Sequence, residues 1–341
     1  MKAALLNEIG NPFQVTDVPE PGIGPNEVLI RTETCGICRT DLHIQDGLAY
    51  VPNLPHIPGH EPAGVIAQVG SEVDGFKAGD RVVPHLFVYG QDCLHTRCGQ
   101  HAQAMDLKGI IGVTMPGGFA EYFAAPARNL LKLPDEVPFD AGGLTSCAVI
   151  TAVHAFRKAG LKANDTAVVL GAGGIGLLII QLLVWAGVKT VAVSRSESSL
   201  KQATAAGAHL VVSLSAGDAP DRVREFAGGG KDGSDCVFEL VGLAETMKTA
   251  AALVSRGGRI VVIGEEAEFP AIDTILIAQN ELQIIGSRNG GMQDAKDALD
   301  FMAKGVIKPF IAKRFPLAEI NEAMQFARSG KVSGRIIIDV R

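Results

Sequence analysis

Thr166-Ala167-Val168-Val169-Leu170, then Gly171-Ala172-Gly173-Gly174-Ile175-Gly176, then Leu177-Leu178-Ile179-Ile180 is the stretch that decides the fold. A short apolar run leads into a glycine-spaced turn, and the turn opens an apolar helix. In that setting a G-x-G-x-x-G spacing marks a turn that cradles a dinucleotide. Gly171 permits the tight turn, Gly173 lets backbone approach a diphosphate, and Gly176 lets helix and strand pack closely. Gly174 and Ile175 lie inside the same turn, at the helix N-terminus, where unpaired N–H groups and the helix dipole favour anions. The uncharged stretch 166–188 is long enough to suggest a membrane span, but its glycines make it a buried strand, turn and helix.

Working outward, strands at 190–193, 209–212, 236–239, 259–263 and 282–285 alternate with helices at 198–206, before Gly228, and at 244–254. Repeated β-α units predict a parallel doubly wound sheet, placed at residues 149–287. Residues 1–148 read instead as short strands with frequent turns, as at 27–32, 62–69 and 80–84, and predict an all-β body. Within it, 85–118 has little periodicity yet holds His85, His95 and His101; a loop of that length is usually functional or metal-tied. Helices at 294–304 and 319–328 and a last strand at 335–340 return to the first body, so 288–341 joins 1–148 in one discontinuous domain. The fold class is α/β.

Composition narrows the class. Forty of the 341 residues are glycine, well above the roughly 7% usual in soluble proteins, so unusual backbone is needed in many places. The chain has no collagen-like period, and 47% apolar residues support packed cores. A net charge of −6 with no run of five like charges argues against a nucleic acid or an anionic membrane as partner. Residues 1–10 lack a signal peptide's apolar stretch, which predicts a cytoplasmic protein. Six cysteines at irregular spacings point to metal or catalytic roles rather than a disulfide framework.

The second strand of the doubly wound half ends Val193-Ser194-Arg195, with Ser194 standing 23 positions after Gly171. An NAD site usually offers a carboxylate there for the ribose hydroxyls. A serine hydroxyl and an arginine suit a 2′-phosphate, which a carboxylate would repel. NADP is therefore expected over NAD, with Glu197 reaching back to the ribose as the alternative. Val241, Gly264 and Ser287, just past the later strands, and Ile263, at the end of one, complete the candidate cofactor set together with Arg39 and Arg335.

Cys38, His60 and Cys147 come from separate segments, and three such side chains can hold zinc with a fourth position left open. Around them stand Cys35-Gly36-Ile37-Cys38-Arg39-Thr40-Asp41-Leu42-His43, Gly59-His60-Glu61 and Ser146-Cys147-Ala148, followed by the glycine turn and, near the end, Gly334-Arg335. In these motifs and their order the chain resembles the zinc-dependent medium-chain alcohol dehydrogenases over essentially its whole length. The resemblance implies a GroES-like, mostly-β catalytic domain, a Rossmann domain, and a catalytic zinc on Cys38, His60 and Cys147. It also implies that Thr40 takes the substrate proton and passes it toward His43, and that Arg39 meets the diphosphate. Glu61 is a possible alternate ligand, Asp41 a partner for the His60 ring, and Cys35 packing. A homo-oligomer is expected from the family, a tetramer rather than a dimer. Polyol dehydrogenases of the superfamily commonly carry Glu where Cys147 stands, so a primary or secondary alcohol, or its aldehyde or ketone, is the expected substrate. An NAD-dependent polyol or sugar-alcohol enzyme is the alternative, and a non-catalytic NADPH- and zinc-binding redox sensor is the rival from another class.

One part departs from the pattern. Many relatives carry a second zinc on four cysteines spaced x2, x2, x7. That register holds Asp92, His95, Cys98 and Asp106 here, with Cys93 and His101 as spare donors. Structural zinc sites favour thiolates, so a degenerate lobe held by packing is expected; a mixed-ligand zinc or a Cys93–Cys98 disulfide are the alternatives.

Overall fold

A computed structural model of the 341-residue chain describes residues 1–48, 52–90, 93–266, 270, 273–330 and 332–341. Residues Met1–Ile150, Gly290–Gly305 and Pro309–Arg341 form one compact unit, and Thr151–Asn289 with Val306–Lys308 form the other. The expected boundaries at 148/149 and 287/288 stand two residues from these, and Val306–Lys308 group with the second unit. The reason is local: Gln181 Nε2 donates to the Lys308 carbonyl and Gln181 Oε1 accepts from its N–H, at 3.2 and 2.8 Å.

In the first unit, strands β1 (Lys2–Leu5) and β2 (Gln14–Asp17) pair as a small ribbon. The long β3 (Glu27–Ile37) is followed by helix α1 (Arg39–Asp46), then by β4 (Glu61–Val69), β5 (Arg81–Pro84) and β6 (Phe87–Tyr89). Short helix α2 (Leu94–Arg97), β7 (Leu107–Ile110), β8 (Tyr122–Pro126), β9 (Leu130–Lys132), helix α3 (Phe139–Gly143) and the start of α4 (Ala148–Ala159) come next. The stretch expected as an aperiodic loop over 85–118 is thus partly regular, because β6 and β7 pair antiparallel across it, Phe87 opposite Ile110. These strands are three and four residues long, too short to show a period.

The second unit is the doubly wound half. Strands β10 (Thr166–Leu170), β11 (Lys189–Ser194), β12 (Leu210–Ser213), β13 (Ser234–Glu239), β14 (Val254–Val262) and β15 (Gln283–Gly286) form a parallel six-stranded sheet. Its order is β12-β11-β10-β13-β14-β15. Helices α5 (Gly174–Trp185), α6 (Glu197–Ala205), α7 (Ala219–Ala227), α8 (Ala244–Leu253) and α9 (Thr274–Gln279) connect the strands. Strands of such a sheet are buried on both faces, which is why they read as unbroken Val/Ile/Leu runs. α5 is buried along Leu177, Leu178, Ile179, Ile180, Leu182 and Leu183, so the uncharged stretch 166–188 is the strand β10, the glycine turn and a core helix of 12 residues. No single helix among the described residues is long and apolar enough to cross a membrane.

The chain then returns to the first unit with α10 (Met292–Ala303), β16 (Ile311–Pro316), α11 (Ile320–Arg328) and β17 (Arg335–Asp339). The resulting sheet runs β16-β17-β3-β4-β5-β9, with β8 also on β3. β3 is shared: its first half pairs with β8 and its last residues with β17.

Candidate active site

Strand register assembles the first unit's polar cluster. Gly36 pairs with Glu61 of β4, and Ile37 pairs with Ile336 of β17. The end of β3 and the starts of β4 and β17 therefore lie side by side. Cys38 follows as the N-cap of α1, His60 stands just before β4 and Glu61 opens it, and Cys147 sits between a 3-10 turn at Leu144–Ser146 and α4. Cys38, His60, Glu61 and Cys147 each place one ligand atom within 4.8 Å of the others. The two sulfurs are 4.0 Å apart; tetrahedral zinc with Zn–S near 2.3 Å separates two thiolates by roughly 3.8 Å.

The donor atoms test the fit. His60 is buried, its Nδ1 lies 3.1 Å from Asp41 Oδ1, and its Nε2 is buried with no hydrogen-bond partner among the described residues. Facing a carboxylate, Nδ1 keeps its proton, so Nε2 is the ring nitrogen left to a metal ion, which displaces any proton it carries. Leaving such an atom unpaired costs about 1–3 kcal/mol, a cost that a metal ion removes. Asp41, also buried, accepts from the Cys38 N–H at 2.8 Å through its other oxygen. One carboxylate thus orients a sulfur's backbone and an imidazole ring, the arrangement that steadies ligands in metal sites. Two thiols and an imidazole nitrogen suit zinc.

Charge in the cluster is tightly coupled. The hydrogen bond with Cys147 holds the Cys38 thiol well below its usual range, while that bond and burial push Cys147 well up. Burial alone would push His60 down, but the Asp41 charge and hydrogen bond, with Cys38, hold it well above the ordinary histidine value. Burial raises the Glu61 carboxyl, opposed by Arg335.

Glu61 is held from two sides: Oε1 accepts from the Ala148 N–H at 3.2 Å and Oε2 from Arg335 Nη2. Gly36 leaves the room for it, since a Cβ there would stand 2.2 Å from Glu61 Oε2. Arg335, expected among the cofactor-binding residues, is buried on Glu61 because Ile336 pairs with Ile37. The sequence does carry a signal for this, a charged residue opening the buried apolar strand Ile336-Ile337-Ile338. Thr40 Oγ1 lies 3.9 Å from Cys38 Sγ, and His43 stands half-buried on the next turn of α1. Arg39 is exposed at the start of that helix. Cys35 is fully buried, its thiol on the Gly36 carbonyl.

Among the described residues, the lobe donors do not gather into one metal-capable group. Cys93 Sγ is 2.9 Å from Thr96 Oγ1, which donates to Asp106 at 3.2 Å. His95 bonds Gln100, and His101 Nδ1 accepts from the Met292 N–H. Cys93 and Cys98 are free thiols, and Asp92 lies outside the described residues. Among the described residues, the Cys38 cluster is the one group of metal-capable side chains drawn together.

In the second unit, Gly171 has φ +107° and donates to the Val193 carbonyl at 3.0 Å. Gly176 packs on it so closely that a Cβ would stand 2.2 Å from the Gly171 oxygen. Gly173 caps α5 with no side chain on the first-turn N–H groups, and a Cβ on it would meet nothing within 4 Å. That open, uncapped helix start fits a diphosphate. The strand order reverses between β10 and β13, the position at which such sheets bind ligands. Leu240 and Val241, just after β13, wall the turn: their nearest side-chain atoms would stand 3.3 and 3.2 Å from a Cβ on Gly171. Ile263 and Gly264 follow β14, and Ser287 follows β15 with its hydroxyl buried and unpartnered among the described residues. Val193 pairs with Leu170, so Ser194 is level with Gly171. Its hydroxyl accepts from the Ser196 N–H at 3.4 Å, and Arg195 and Glu197 are exposed.

Two family models match the chain, one described as "Alcohol dehydrogenase GroES-like domain" over residues 24–135 and one as "Zinc-binding dehydrogenase" over 174–304. An alcohol dehydrogenase of Geobacillus stearothermophilus is 35% identical over 345 residues, covering 100% of both chains. An NAD-dependent alcohol dehydrogenase of Sulfurisphaera tokodaii is 32% identical, covering 99% of each. A solved structure from Sinorhizobium meliloti, described as a zinc-binding dehydrogenase bound to NADP, matches with a TM-score of 0.89 at 29% identity, covering 99% of this chain and 98% of that one.

Proposed function

The chain belongs to the zinc-dependent medium-chain dehydrogenase/reductase family, and on that premise we propose that it is an NADP-preferring oxidoreductase interconverting primary or secondary alcohols with aldehydes or ketones. The observation that carries the reading is the unpartnered His60 Nε2 facing the Cys38 and Cys147 sulfurs 4.0 Å apart. Zinc held by Cys38, His60 and Cys147 would supply Lewis acidity, polarising the substrate oxygen at the open fourth position. Thr40, beside Cys38, takes the hydroxyl proton of the alcohol or returns one to the reduced carbonyl. His43 lies three residues on, the spacing that puts two side chains on one helix face, and exchanges that proton with solvent. Glu61, clamped by Arg335 and Ala148, stands close enough to the sulfurs to steady the site while substrate and water exchange.

The glycine turn from Gly171 to Gly176 holds the dinucleotide's diphosphate, with Val241, Ile263, Gly264 and Ser287 along the nicotinamide half. Ser194 and the exposed Arg195 meet a 2′-phosphate, and no carboxylate at the end of β11 repels one. NAD is the second reading, favoured by the NAD-dependent relative. The experiment is a kcat/KM comparison of NADPH and NADH on a panel of alcohols and aldehydes, repeated with Cys38→Ser and with zinc counted per chain. NADPH preference is expected, with turnover and zinc both lost in Cys38→Ser and cofactor binding retained. A clear NADH preference refutes the Ser194 and Arg195 argument, and turnover surviving in Cys38→Ser refutes the zinc mechanism.

A further inference from the structure

Glu239, the last residue of β13, is a fully buried acid that the chemistry above leaves unused. Among the described residues its carboxylate has no cationic partner. It is satisfied by backbone alone: Oε1 accepts from the Val241 and Gly242 N–H groups, both at 2.9 Å, and Oε2 from Gly242 at 3.0 Å. The carbonyl of the same residue accepts from the Ile263 and Gly264 N–H groups at 2.8 and 3.1 Å, and the next N–H, that of Leu240, donates to the Leu170 carbonyl at 3.1 Å. One residue and its neighbour therefore fasten together the carboxyl ends of β10, β13 and β14, the strands on both sides of the topological switch.

Bonds to a full carboxylate are the strong kind, and these act on a segment with little slack. Gly242 has φ +85°, and a Cβ on Gly264 would stand 2.2 Å from the Gly242 nitrogen. Val241 is pressed toward the glycine turn, its Cγ2 falling 3.2 Å from where a Gly171 Cβ would lie. We infer that Glu239 is a positioning residue for the dinucleotide: its carboxylate pins Val241 and Gly242 against Gly171 and Gly264 and so sets the width of the cofactor crevice. The inference rests on the dinucleotide reading given above and assigns a residue that the G-x-G-x-x-G spacing does not include.

The test uses the full-length, zinc-loaded protein with Glu239→Gln and Glu239→Asp. Glutamine keeps the shape but turns an amide N–H toward the Gly242 N–H; aspartate keeps the charge but falls short of it. Binding is read from the emission of bound NADPH, and local order from hydrogen exchange at the 240–243 amides. Both variants should bind NADPH about tenfold more weakly and exchange faster at 240–243, with zinc content and the KM for alcohol unchanged. In a Val241→Ala background the effect of Glu239→Gln should shrink to less than about twofold, because the two changes act through one contact. If either variant melts lower yet binds NADPH as tightly as the parent, or if the effects with Val241→Ala simply add, the residue is structural and the inference fails. Where Glu239→Gln does not fold, Glu239→Asp carries the same test. A parent protein that binds neither NADPH nor NADH overturns the dinucleotide reading itself, whereas parent binding with unaltered variants removes Glu239 alone.

Discussion

Acidification from about pH 7.5 to about pH 5 should weaken the first unit by about 2 kcal/mol through His85 alone. His85 is 1% exposed, with Nε2 donating to the Gly290 carbonyl at 3.1 Å and Tyr89 and His101 standing edge-on around it. Burial pushes its pKa down to about 4, against the backbone carbonyl of Gly290 that favours the charged form. In the unfolded chain it titrates near 6.5. Between those values the unfolded state binds the extra proton, so stability is complete above about 6.5, is lost as pH falls through the window, and levels off below about 4. At pH 5 the imbalance is roughly thirtyfold, which is the about 2 kcal/mol quoted. Urea unfolding across this range measures it. All three tyrosines lie within residues 1–150 and the single tryptophan, Trp185, lies in the other unit, so tyrosine near-UV dichroism reports the unit that contains His85. His85→Gln removes the titration and keeps a donor for Gly290. Its acid loss should be smaller than the parent's by about 2 kcal/mol, while His56, also pushed down to about 4 mainly by burial, contributes equally to both. Parallel pH curves for parent and variant would refute the reasoning.

Asp41→Asn should lower zinc affinity about 10- to 100-fold by loosening the His60 ring, read by competition with a chromogenic chelator; unchanged affinity would show that His60 needs no partner. Arg335→Met leaves the buried Glu61 carboxylate without its cation and should cost about 3–5 kcal/mol, seen as a drop in the first unit's urea midpoint. Gly176→Ala puts a Cβ 2.2 Å from the Gly171 oxygen, so the turn must open; NADPH titration should show binding weakened by about tenfold or more, with zinc content untouched.

The doubly wound half was legible because its signals are local. A strand such as Val168-Val169-Leu170, buried on both faces, carries its own apolar run, and the turn after it needs glycine at Gly171 for a positive φ and at Gly176 for close packing. Sites on the first unit were legible in part. Cys38, Thr40, Asp41 and His43 lie within the first two turns of one helix and its N-cap, so their grouping needs no tertiary information. The short β6 and β7 were not legible, since three or four residues cannot establish a period and their pairing depends on chain 20 residues away.

Residue types and their spacing thus determined by themselves the α/β class and the glycine turn, whereas the set Cys38, His60 and Cys147 rested on the resemblance of the motifs around them to a known family. What they could not decide is which distant groups share a proton or a charge. Arg335 is separated from Glu61 by 274 residues and Cys147 from Cys38 by 109; the antiparallel register of β17, β3 and β4 brings the first pair within reach, and the bond from the Ala148 N–H to Glu61 seats Cys147 beside them. Glu239 teaches the same point at short range, because a buried glutamate looks misplaced in sequence until the fold aims two backbone N–H groups at it. Hydrophobic periodicity is a property of one segment and survives in the linear chain, whereas burial of a charge is affordable only when separate segments supply its partners, and those partners exist only in the folded protein.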